Sequence, residues 1–398
     1  MKRGAWHQCG DKSQRLVEEQ LEAGHGVGVV LSPRDLKADA LAAFAATYRG
    51  LGADVIVDTQ FYVPDFSNKN LQTYTISKFR QSVSALHQIS DPELSELSAE
   101  LEAGTRAMHG SAVVAPAVLY EAGRHEIVQL NARLFGAAKS VGDALGVPTY
   151  ATIGLAKSVT GATKTVTDAL NAATALPADG WYYAFEFEDE RIPSARDAVY
   201  RCCEAGLTLA ATAKPVLHAY GGPMGLLSFG FGASGVGIGH SQNLWKFTRD
   251  RWEPPAPPGK RKPPPPRFFS QSLWGTIVYP DESVQLSATL RAAVLAPSTP
   301  FCGPVHATPP RSWSSWDAKK HMLCVQAQTF ARLEKSKTAR AAATAAGKQL
   351  KDAVALHARI KDARLKLKDN TNAYQENWRL ALSDLLKHRS ADFDYMEL

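Results

Sequence analysis

The residue type and setting that best suit chemistry in this chain belong to Asp58. It closes the apolar run Asp54-Val55-Ile56-Val57 and is followed by Thr59-Gln60-Phe61-Tyr62. A carboxylate at the mouth of an apolar strand can serve as acid, base or nucleophile once its neighbours tune its pKa. The plainer reading is a helix cap or an ion-pair partner for Arg34. A second carboxylate cluster lies in Phe185-Glu186-Phe187-Glu188. Strand alternation sends the phenylalanines one way and Glu186 and Glu188 the other, and a buried carboxylate pair needs a cation or a shared proton. His240, just after Gly239, completes the catalytic candidates, whereas His218 inside an apolar strand reads as a core histidine. Ser32, Arg34, Gln60, Tyr62 and Gln242 follow apolar runs and are candidates for contacting a substrate. Gly221 and Gly222 offer backbone amides to a phosphate or base edge, or simply permit tight packing.

These side chains need a scaffold that brings strand ends together. Apolar runs at 27–31, 54–58, 111–118, 147–153, 181–188, 215–220 and 235–239 alternate with Ala/Leu-rich helical stretches at 36–51, 126–145, 159–175 and 194–213. The runs lack strict polar alternation, as strands covered on both faces do. Seven units, with an eighth strand expected near 274–279, predict a (β/α)₈ barrel over residues 1–317. No G-x-G-x-x-G follows the first strand, so a dinucleotide crevice has no support. Residues 253–267 hold 8 of the 23 prolines and predict an extended, polyproline-like insertion. From 318 to 398 the pattern turns long-helical, with helices expected at 318–347, 348–370 and 372–389.

Charge divides the 398 residues in the same way. The net +6 is unevenly spread, with 16 basic against 6 acidic residues between 318 and 390, and 29 against 30 in the first 317. A basic helical tail on a near-neutral barrel predicts a phosphate-bearing or acidic partner, nucleic acid first, and leaves room for a protein partner or an oligomer. Trp313, Trp316 and Trp378 would then either stack on bases or pack the helices onto the barrel. No run approaches the roughly 18 apolar residues of a membrane span. No apolar run follows the basic Lys2-Arg3 pair as a secretory signal would require, and five cysteines form no evident disulfide framework. A cytoplasmic protein is the expectation.

Several segments, taken in order, also carry a family likeness. They are Asp58-Thr59-Gln60-Phe61, Gly110-Ser111-Ala112-Val113, Ala184-Phe185-Glu186-Phe187-Glu188, His218-Ala219-Tyr220-Gly221-Gly222-Pro223 and Gly235-Val236-Gly237-Ile238-Gly239-His240. Over about residues 50–330 the chain resembles the tRNA-guanine transglycosylases. The resemblance implies a (β/α)₈ barrel, an active-site aspartate at Asp58 and a nucleic-acid substrate. It places the family's nucleophilic aspartate on His240. The family's zinc signature is reduced to Cys302, His306 and His321, which would need Cys324 or a carboxylate to complete a site.

Two main readings stay open. One is a barrel enzyme acting on a nucleoside or nucleic-acid base by N-ribosyl transfer, with Asp58 in one role and Glu186 or Glu188 in the other. The other is a non-catalytic nucleic-acid-binding or partner subunit that kept the barrel and lost the nucleophile. A third is a small-molecule barrel enzyme using Lys157 as an amine nucleophile.

Overall fold

The computed structural model describes residues 1–10, 12–159, 161–188, 192–252, 265–307, 311–367 and 373–398. Eight parallel strands form one sheet: β1 (Gly4–Gln8), β2 (Gly28–Leu31), β3 (Asp54–Val57), β4 (Val113–Val114), β5 (Thr149–Leu155), β6 (Gly180–Phe185), β7 (Val216–His218) and β8 (Gly235–Ile238). Their order is β3-β2-β1-β8-β7-β6-β5-β4, so β1 pairs with β8 and the sheet curls into a nearly closed (β/α)₈ barrel. At the remaining seam between β3 and β4, the Ser111 backbone N–H donates to Val55 O at 2.7 Å. The Ser111 hydroxyl in turn accepts from the Val55 N–H and from Arg49. One serine thus bridges the strand edges that the sheet leaves unpaired.

The eighth strand is the N-terminal Gly4-Ala5-Trp6-His7-Gln8, which carries only two apolar side chains and escapes a hydrophobic-run reading. All five residues are nonetheless buried. Barrel closure explains this: β1 lies between β2 and β8, so its polar His7 and Gln8 are buried with the rest. The segment expected to supply that strand folds elsewhere. Residues 267–278 form an antiparallel hairpin, β9 (Arg267–Ser270) and β10 (Gly275–Val278), outside the barrel.

The helices follow the strands. They are α1 (Gln14–Glu22), α2 (Ala38–Gly50), α3 (Val83–His87), α4 (Asp91–Ala107), α5 (Glu126–Leu145), α6 (Thr163–Thr174), α7 (Arg196–Ala210) and α8 (Gly225–Gly230). Beyond the hairpin come α9 (Ala288–Val294), α10 (Gly303–His306), α11 (Ser315–Leu333), α12 (Ala339–Asp362), α13 (Ala373–His388) and α14 (Ser390–Tyr395). Helix α11 packs on β1 and touches α1 and α8, so it closes the helical ring around the barrel. The division expected at 317/318 runs through this helix. Helices α12 and α13 lie on α7 and α8, and their Leu350, Trp378, Leu382 and Leu385 join the same buried cluster as barrel residues Trp181 and Phe185. Trp378 is fully buried, its indole N–H donating to Pro193 O at 2.6 Å, so it packs rather than stacks on bases. Trp313 likewise donates to Phe301 O. Most of the expected proline insertion, 253–264, lies outside the described residues. No helix among the described residues is long and apolar enough to cross a membrane.

Burial holds His7, His218, His240 and His321 neutral, each with its pKa pushed down to about 4. A lowered folded-state value contributes stability above the unfolded value near 6.5, lost as pH falls towards 4. The urea midpoint is therefore expected to drop between pH 7 and pH 5. A flat profile would show that these rings charge without cost.

Candidate active site

Alternation along β1 sends Ala5 and His7 outward and Trp6 and Gln8 into the barrel. Trp6 fills the lower lumen against Val30, Ile56 and Leu217. Gly28 and Gly235 face it, where a Cβ would come within 2.6 and 2.9 Å of the indole or of Leu217. Above this apolar layer lies a polar one.

Asp58 is its centre and is 1 % exposed. One carboxylate oxygen accepts from the Gln60 backbone N–H at 3.0 Å. The other accepts from the Tyr182 hydroxyl at 3.0 Å and the Tyr220 hydroxyl at 3.1 Å. Tyr62 turns its hydroxyl to the same carboxyl without completing a hydrogen bond. Burial raises the Asp58 pKa above the ordinary carboxylate value, with the Gln60 amide and the tyrosine hydroxyls offsetting part of the rise. Burial and the nearby carboxylate also push Tyr62 and Tyr182 well above the usual phenol value.

Gln60 links the layer together, its side-chain amide donating to Ser32 Oγ at 3.0 Å and to the Tyr220 oxygen at 3.1 Å. Its Oε1 is buried without a partner, as is Oε1 of Gln8. The Gln8 oxygen sits beside Gly237, where only the missing side chain leaves room: a Cβ there would lie 2.9 Å from it. Gln60 and Tyr220 both adopt left-handed backbone conformations, φ 56° and 54°. Such strain in non-glycine residues concentrates at functional sites. Arg80 holds the first of these turns, donating to Thr59 O at 2.6 Å and Gln60 O at 2.9 Å with its guanidinium 4.9 Å above the Phe61 ring.

The mouth is covered by aromatic side chains. Phe247 and Trp252, from the segment after β8, meet Tyr62 at ring-centroid distances of 4.9 and 6.0 Å, and Phe247 meets Tyr220 at 5.5 Å. Arg34 lies over Trp252 and Phe66 at the rim. Glu186 pins this cover. Its carboxylate accepts from the Lys157 backbone N–H at 3.0 Å and from the Arg249 backbone and Nε at 3.1 and 2.9 Å, and Arg249 continues to Glu121. Glu186 is 2 % exposed, so its charge is matched by a cation and satisfied by amides rather than by a second carboxylate.

Of the expected catalytic set, Asp58 alone occupies the polar lumen, joined there by Gln60, Tyr62 and Ser32. Glu186 belongs to the ion-pair latch above it. Glu188 is exposed and borders a cleft of about 250 Å³ with Lys157 and Asp197. His240 is half-buried near Gly10, where α11 contributes Lys319, so it stands apart from the Asp58 network. Gly221 and Gly222 are packing positions: a Cβ would strike Val236 at 2.5 Å and Trp245 at 2.7 Å. Gln242 opens the turn Gln242–Leu244, and its side chain lies outside the described set.

The zinc expectation is corrected by hydrogen bonding. His321 has both ring nitrogens engaged, with Phe269 O at 3.0 Å and Thr299 Oγ1 at 2.8 Å, and the Cys302 sulfur accepts from the Thr299 N–H. His306 instead meets the Phe268 ring edge-on. Among the described residues no three His, Cys, Asp or Glu side chains converge as a metal ion requires.

Sequence reasoning missed Gln8, Arg80, Tyr182, Phe247, Arg249 and Trp252. Tyr182 was within reach, because the alternation that faces Glu186 inward also faces Tyr182 inward. No protein-family model matches the chain, and no curated protein is significantly similar to it.

Proposed function

We propose that this chain is a barrel enzyme acting on a nucleoside or nucleic-acid base by N-ribosyl transfer, with the polar lumen as its base site. The observation that carries the reading is two buried, unpartnered amide oxygens, one on Gln60 within the Asp58 network and one on Gln8 beside Gly237, close to the Tyr220 backbone. Leaving such acceptors dry is costly, and N–H groups of a planar heterocycle would satisfy them. Tyr62, Phe247 and Trp252 supply flat apolar walls for the same ring.

In this reading Asp58, whose pKa burial raises above the ordinary carboxylate value, is the proton donor. As the C1′–N bond breaks, its electron pair stays on the base nitrogen, which takes the Asp58 proton. The Gln60 amide and the Tyr182 and Tyr220 hydroxyls then stabilise the resulting carboxylate. The incoming base or water attacks C1′ and returns a proton to Asp58. Because Asp58 is sealed, the segment 242–252 must move aside for entry, breaking the Glu186–Arg249 latch. The nucleic-acid partner lies along the basic C-terminal helices.

Calorimetric titration with free purine and pyrimidine bases tests the site. Binding is expected to weaken at least tenfold in Gln8→Met, which removes the unpartnered oxygen at similar volume, with no loss of thermal stability. Equal binding by parent and variant, or none by the parent, would refute the base site.

The sealed mouth and the histidine at position 240 favour a second reading, a binding barrel without turnover. Base binding with no exchange of labelled base would select it.

A further inference from the structure

We infer that the cleft between α11, α12 and the β9–β10 turn is a binding site for a phosphodiester backbone. The cleft encloses about 620 Å³ and presents Arg332, Lys348 and Arg359, with Gln271, Ser272 and Gln349 supplying neutral donors. Gln349 also lines the cleft, and its side-chain nitrogen is buried without an acceptor. Asp352 is the one acid on the lining. It pairs with Lys348 at 2.6 Å, but the two side chains are 61 % and 75 % exposed, so a stronger anion displaces it readily.

Geometry separates a chain of phosphates from a single one. Positions 348, 352, 355 and 359 recur at helical spacing along one face of α12. Lys348 and Arg359 are therefore roughly 16 Å apart along the axis at about 1.5 Å per residue. That is longer than the step between neighbouring phosphates, which along the axis of a DNA duplex is about 3.4 Å per strand, so more than one phosphate can be engaged. Lys361, Arg364 and Lys366, against the single acid Asp362, continue the positive charge beyond Arg359. The apolar side of α12, with Leu350, Ala353 and Ile360, is buried, so the cations are held on a rigid element.

This inference deepens the reading of the C-terminal helices as the nucleic-acid face and needs no turnover in the lumen. Its test is binding of fluorescent single-stranded RNA and DNA oligonucleotides to the full chain across a salt series, beside inorganic tripolyphosphate. Arg332→Gln/Lys348→Gln/Arg359→Gln is expected to weaken oligonucleotide binding at least tenfold and to flatten the log–log salt slope by about 2, at roughly 0.7 per lost phosphate contact. Arg15→Gln/Lys69→Gln/Lys164→Gln removes the same charge from exposed positions elsewhere and should change affinity less than threefold. Equal losses in the two triples would overturn the inference by showing a diffuse field. Tripolyphosphate binding without oligonucleotide binding would overturn the backbone assignment in favour of a free phosphate ligand. If free bases fail to bind the lumen while the oligonucleotide result holds, the lumen reading falls and this one stands.

Discussion

Asp58→Asn is expected to cut base-exchange or N-glycosidic turnover by about 10²–10⁴-fold, the usual worth of a positioned proton donor, while leaving the barrel at least as stable at pH 7.5. The two halves have one cause. Burial opposes ionisation of this carboxyl more than its four neighbours favour it, which is why its pKa is raised. A group with a raised folded-state value contributes stability fully below its unfolded value near 3.9, and loses it as pH rises through the folded value. Asparagine never ionises, so it escapes that loss, and the stability advantage of the variant should be larger at pH 7.5 than at about pH 4, close to the unfolded value. The hydrogen bonds survive the exchange. Oδ1 still accepts from the Gln60 N–H, and Nδ2 donates to Tyr182 and Tyr220 oxygens that had been donors. Paired measurements of turnover and melting temperature at the two pH values check this. A variant that melts much lower with turnover intact would make Asp58 a structural keystone and remove it from the chemistry.

Trp6→Ala is expected to cost the barrel about 3–5 kcal/mol of stability. The indole is fully buried against β2 and β8, with Gly28 and Gly235 leaving it the room. Its N–H donates to Lys2 O, fixing the chain that enters β1. Truncation opens a cavity between backbones that strand pairing holds apart, so the site cannot collapse to fill it. Against a typical total of 5–15 kcal/mol, the loss is a large share. Urea denaturation measures it directly, and a loss under about 1 kcal/mol would show that the lumen repacks.

Both predictions turn on features of uneven legibility. Asp58 could be read from position alone, because an acidic residue ending an apolar run lands at the strand mouth in any parallel barrel. The environment that gives it chemical meaning could not. Tyr182 and Tyr220 lie 124 and 162 residues away, and only strand closure brings their hydroxyls to the carboxylate. Glu186 shows the same limit from the other side. Its inward face follows from alternation with Tyr182 and Ala184, but its partner Arg249 arrives on a segment with no periodic pattern.

Local pattern by itself determined the alternation of strands and helices, the (β/α)₈ class, the inward face of Glu186 and the concentration of positive charge after residue 317. Each depends on neighbours within a few residues, where side-chain period and backbone preference act. Tertiary structure alone decided that Gly4–Gln8 is a strand, that Trp274–Tyr279 is not a barrel strand, and that the Tyr182 and Tyr220 hydroxyls meet Asp58. β1 has too few apolar side chains to declare itself. It is a strand because β2 and β8 satisfy its backbone on both edges and the barrel takes it out of water.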